Sequence, residues 1–129
     1  MASQILLGTI SNVCVDGGDA PEMESRVNAA LQAGGRSSYL ADAQITGVGV
    51  GPRWLTQLSV VSNSNGGILA PMADVTAFVR RAGNPVALDF FIEQVLAANP
   101  ASLYVAIRVD GGGAGRDYMA LILILPVIE

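Results

Sequence analysis

The chain reads as an α+β protein made of two tandem β-α-β-β units of about 64 residues each, with a mainly antiparallel sheet and two helices packed on one of its faces. Three observations predict this. Short segments of alternating apolar residues outnumber the helical ones. Two segments with helical spacing each follow a capping residue and a proline. The pattern of the first half then returns in the second. The 129 residues suit one domain, with repeats over about 1–64 and 65–129, burying roughly two-thirds of the unfolded surface.

Residues 3–16 are strand-like, and Gly17-Gly18 breaks them. Asp19 with Glu22 three residues on is a capping-box-like start, and Pro21 sits in the first turn, where a missing N–H costs nothing. Met23, Val27, Ala30 and Leu31 recur at helical spacing until Gly34-Gly35. Tyr39 to Val50 alternates as a half-buried strand, and Trp54 to Val61 forms another after Gly51-Pro52. The polar stretch Ser62 to Gly67 is a linker. A strand over about 68–80 leads to Gly83-Asn84-Pro85 and a helix carrying Leu88, Phe91, Ile92, Val95 and Leu96 on one face, ending at Asn99-Pro100. Leu103, Val105, Ile107 and Val109 alternate, a glycine-rich turn follows, and Tyr118 to Leu125 closes the set.

At an offset of 64 without gaps, Pro21 falls on Pro85, Trp54 on Tyr118, and Gly47, Gly49 and Gly51 on Gly111, Gly113 and Gly115. The same alignment equates Val13 and Val15 with Ala77 and Val79, and Gln44 with Arg108. One difference stands out. The strand 54–61 has a polar second face, whereas 118–125 is apolar on both. A strand covered by a helix on one face needs cover on the other. The expected cover is a second subunit, which makes Arg108, Met119, Leu121, Leu123 and Leu125 interface candidates in a dimer or trimer.

Composition excludes more than it assigns. Net charge is −4 with 14% charged residues, and the arginines are scattered apart from Arg80-Arg81, so neither nucleic acid nor an anionic membrane surface is an expected partner. No apolar run reaches the ~18 residues of a membrane span, and no basic leader opens the chain, so a cytoplasmic location is expected. Without histidine there is no imidazole catalyst or His-ligated metal, and without lysine no Schiff base. A single cysteine, Cys14, builds no metal cluster, so no metal and no cofactor are expected.

What remains is arginine, carboxylate and backbone. The turn 110–118 places Gly113 and Gly115 before Arg116, Asp117 and Tyr118, a pattern in which backbone N–H groups and a guanidinium can hold an anion. The first half repeats it with Arg53 and Trp54, whose indole and the Tyr118 ring are candidate lids for a flat ligand. Hairpin turns supplying positive φ explain the same glycines without a ligand.

In element order the tandem unit resembles the tautomerase superfamily, whose chains of similar size hold two β-α-β units, form trimers and use an N-terminal proline. This chain begins Met1-Ala2-Ser3, so no catalytic residue carries over. One unit is also similar in order to the dodecins, but no aromatic of its second strand matches their flavin-stacking one. The expectation is a non-catalytic homo-oligomer that assembles through its apolar sheet and binds a small anionic or flat ligand between subunits. The alternatives are a small isomerase using arginine and carboxylate chemistry and a structural subunit of a larger assembly.

Overall fold

The computed structural model describes residues 8–47, 53–111 and 117–126. They form β1 (Ile10–Gly17), α1 (Ala20–Gly34), β2 (Tyr39–Gly47), β3 (Trp54–Val61), β4 (Ala70–Pro71), a 3-10 turn (Met72–Asp74), β5 (Thr76–Ala82), α2 (Pro85–Ala98), β6 (Ser102–Gly111) and β7 (Tyr118–Pro126). The fold is α+β, with two antiparallel sheets ordered β1-β3-β2-β4 and β5-β7-β6.

Both helices begin as the sequence predicts. The Asp19 Oδ1 accepts the Glu22 N–H at 2.9 Å, and Glu22 reaches back to accept the Gly18 N–H at 2.8 Å. Asn84 caps α2 by accepting the Ala87 N–H at 2.8 Å, with Pro85 at the first helical position. The expected strand over 68–80 is shorter. Pro71 has no N–H for a ladder, and Met72 to Asp74 turn through a 3-10 step closed by Val75 N–H to Met72 C=O, so β5 starts only at Thr76. The linker before it turns on Asn65, Gly66 and Gly67, all at positive φ.

The helices do not share one face of one sheet. Met23, Val27 and Leu31 of α1 join the inner faces of both sheets in a single core with Trp54, Leu58, Met119, Leu121 and Leu123. The sheets approach each other where β2 meets β6 and are bridged on the other side by α1, which packs on both β1 and β5. By contrast, α2 covers the opposite face of the second sheet. There Leu88 packs with Ala82 and Ala120, and Val95 packs with Ile122 and Ile124. The layers therefore run first sheet, α1, second sheet, α2.

This order accounts for the two-faced apolar character of β7. Met119 to Leu123 are wholly enclosed because one face meets the shared core and the other meets α2, all within one chain. The first sheet is the outermost layer, and its far face carries Asn12, Cys14, Gln44 and Gln57 in solvent.

The registers also correct the expected correspondence between halves. The hairpins match at 64: Gly47 pairs Trp54 and Gly111 pairs Tyr118, with bulges after Leu40 and Tyr104. The first strands and caps instead match at 65, since Gly17 pairs Trp54 while Ala82 pairs Tyr118, and Asp19 corresponds to Asn84. With 15 residues in α1 and 14 in α2, the difference lies in the helix. One residue of shift exchanges the faces of a strand. Val13 and Val15 thus correspond to Phe78 and Arg80, on the helix-covered face, rather than to Ala77 and Val79.

Candidate functional site

Alternation along β5 sends Phe78 and Ala82 toward α2 and Ala77 and Val79 toward the shared core. Arg80 and Arg81, consecutive in this strand, lie where α1 and α2 diverge. A cleft of about 550 Å³ opens there, with Arg80 and Arg81 on its floor, Asp19 and Glu24 on the α1 wall and Phe91 and Gln94 on the α2 wall. Phe91 and Gln94 are three apart, so a helix presents both to the same side.

The charges in this cleft are spoken for. Glu24 Oε1 accepts both the Arg80 Nη1 at 2.8 Å and the Val79 N–H at 2.9 Å. Arg80 also lies 5.7 Å from the Phe78 ring centroid. Arg81 donates from Nε to Asp117 Oδ2 at 2.9 Å and from Nη1 to the Gly18 carbonyl at 3.4 Å. Arg80 and Arg81 line the cleft with Asp19 and Glu24, and each guanidinium is already held by a carboxylate, Arg80 by Glu24 and Arg81 by Asp117, beside one aromatic ring and one primary amide.

The residues singled out in the sequence do not gather in one place. Trp54 is fully enclosed in the shared core, where it cannot serve as a lid. Tyr118 is half-buried against the α2 cluster. Arg53 is tied to Asp16, and Asp117 to Arg81. Gly113, Gly115 and Arg116 lie outside the described residues. Of the interface candidates, Met119, Leu121 and Leu123 are enclosed in the chain's own core and Leu125 is half-buried, lining an apolar groove of about 340 Å³ beside the exposed Ile68, Leu103 and Tyr104. Arg108 bridges the sheets, donating to the Ala43 carbonyl at 3.0 Å and to Asp42 Oδ1 at 3.2 Å. Hydrogen bonds to Tyr104 first, and then to Asp42, raise its pKa above the ordinary arginine range.

Every arginine among the described residues is engaged by a carboxylate: Arg26, Arg36, Arg53, Arg80, Arg81 and Arg108. Among the described residues no group of three or more His, Cys, Asp or Glu is placed to hold a metal ion, and no helix is long and apolar enough to cross a membrane. Comparison with protein-family models, with curated proteins and with solved structures finds no match.

Sequence reasoning missed the cleft because its walls come from positions far apart in the chain; Arg80 and Glu24, for example, are 56 residues apart. The available signal was the doubled Arg80-Arg81 in an otherwise apolar strand. Phe91 was assigned wholly to the helix core, which it only half joins.

Proposed function

We propose that this chain is a non-catalytic binding protein whose cleft between α1 and α2 receives a small, flat, uncharged or zwitterionic ligand. The observation that carries this reading is the neutralisation of the cleft floor, where Arg80 is held by Glu24 and Arg81 by Asp117. A free dicarboxylate would have to break a made ion pair to gain a guanidinium, whereas a flat polar molecule can stack on Phe91 and bond the Gln94 amide without doing so. An isomerase would need a guanidinium and a carboxylate free for substrate. Of the candidates for those roles, Arg53 holds Asp16, Asp117 holds Arg81 and Asp110 accepts the Gly47 N–H, while Arg116 lies outside the described residues.

The two halves are read as copies of one β-α-β-β unit. Equal strand order, equal hairpin register and equivalent bulges support that reading. A reducing, cytoplasmic setting belongs to the same picture and fits an exposed lone Cys14. With β7 covered inside the chain, a homo-oligomer needs another surface.

The test is titration of labelled protein with nicotinamide, adenine and uracil against succinate and citrate, followed by amide NMR. The flat compounds should move resonances of Arg80, Arg81 and Gln94, and Phe91→Ala should abolish the shifts while the rest of the spectrum stays unchanged. Shifts from succinate and citrate alone would overturn the reading, as would turnover that depends on Asp117.

A further inference from the structure

We infer that the outer edge of β1 is a self-pairing surface, joining two copies of this chain edge to edge about a twofold axis. This goes beyond the cleft reading and stands or falls separately from it.

The molecule treats the first strands of its two sheets differently. The outer edge of β5 is closed by a polar stripe of α1. Glu24 accepts the Val79 N–H, Asn28 both accepts the Ala77 N–H and donates to the Ala77 carbonyl, and Gln32 donates to the Ala73 carbonyl. The stripe is spaced at four residues, so one helix face serves the whole edge. By register, Ala77 and Val79 correspond to Asn12 and Cys14 of β1.

In β1 it is these positions that face away from the sheet. Thr9, just before β1, bonds Ser62, just after β3: its carbonyl accepts the Ser62 N–H and its N–H donates to Ser62 Oγ. The odd-numbered residues therefore face β3 along the ladder, and the Asp16 carbonyl correspondingly points outward to Arg26. Among the described residues nothing bonds the backbone N–H or carbonyl of Asn12 or Cys14. The segment Ile10–Val15 also lacks the usual protections of an edge, having neither a charge nor a proline.

The occupant follows from charge and from the faces beside the edge. Donors and acceptors alternating along an extended backbone are matched by another extended backbone, and an antiparallel copy of β1 supplies the same uncharged run. The strand's one charge, Asp16, is at its end and is already paired with Arg26 and Arg53. An antiparallel pairing puts the two Asp16 residues at opposite ends, on the order of 13–20 Å apart at about 3.3 Å per residue, which exceeds the ~8 Å screening length at physiological salt. A parallel pairing would set them side by side. Head-to-tail stacking of α2 on the next copy's first sheet is disfavoured, because that sheet presents Asn12, Gln44 and Gln57 where the second sheet presents Met119, Leu121 and Leu123. Edge pairing leaves this polar face in water, and a twofold closes the assembly at two copies.

The experiment is light scattering on the full chain at high micromolar concentration, with cross-linking of the native Cys14 by a short bis-maleimide. The expected result is twice the chain mass and a cross-linked dimer. Asn12→Pro should return the protein to one chain mass and abolish the cross-link with an unchanged far-UV spectrum, since the lost N–H is not part of the β1-β3 ladder. A wild-type mass of one chain would overturn the inference. So would a dimer that survives Asn12→Pro, or open-ended growth. If the variant misfolds, a wild-type dimer in which Cys14 cannot be cross-linked overturns it equally.

Discussion

Asn28 holds Ala77 with both ends of its amide: Oδ1 accepts the Ala77 N–H and Nδ2 donates to the Ala77 carbonyl, each at 2.9 Å. A side chain from the first half thereby takes the place of a neighbouring strand for the second sheet. Replacing it by alanine leaves two half-buried backbone groups without protein partners, for which about 2 kcal/mol of lost stability is expected. Urea denaturation checks the magnitude, and amide exchange at Ala77 should accelerate along with it. A loss below about 0.5 kcal/mol would mean that water replaces the amide without penalty.

The layer order predicts equal sensitivity on both faces of β7. Leu123→Ala opens a cavity toward the shared core and Ile122→Ala opens one toward α2, each expected to cost about 3 kcal/mol within the single chain. Leu55→Thr on the outer face of the first sheet should stay near 0.5 kcal/mol. Denaturation midpoints at several protein concentrations check this. A concentration dependence of the Leu123 variant that differs strongly from that of the wild type would return that residue to a subunit interface.

The seam between the sheets predicts a local effect. Asp110 Oδ2 accepts the Gly47 N–H at 2.6 Å, so Asp110→Ala should cost about 1–2 kcal/mol and expose the Gly47 amide to exchange. Exchange elsewhere in the first sheet, at Leu58 for example, should change far less.

The end of α1 predicts a steric effect. A Cβ at Gly34 would overlap the Cβ and Sδ of Met72, which is buried beneath the helix. Gly34→Ala should therefore destabilise by about 1–3 kcal/mol despite the better helix propensity of alanine, read as a lower thermal midpoint. In a double-mutant cycle Gly34→Ala should cost less in a Met72→Ala background than in the wild type if the overlap is its cause.

Local chemistry was legible in the sequence. Asp19 with Pro21 and Asn84 with Pro85 located both helix starts, alternation located β2, β3 and β6, and a continuous apolar run located β7. The separation into two sheets was not legible, because it is set by tertiary packing, with β2 meeting β6 and α1 lying on both β1 and β5, which local patterns do not encode. An offset of 64 matches Val13 and Val15 to Ala77 and Val79 instead of Phe78 and Arg80, and the apolar β7 calls for a second subunit when α2 already covers it. Of the cleft, only the Arg80-Arg81 doublet was visible. Glu24 and Asp117 became its partners through tertiary approach across 56 and 36 residues.

The closing of the β5 edge by Glu24, Asn28 and Gln32 has a consequence during synthesis. The ribosome releases α1 well before β5, so the nascent chain already carries the cover for an edge that does not yet exist. When β5 emerges, its bare backbone meets a prepared partner a few nanometres away rather than the β5 of a neighbouring polysome product. The reverse order, obtained by permuting the chain to begin at Ala70, would release the apolar second sheet first and leave it unguarded until translation ended.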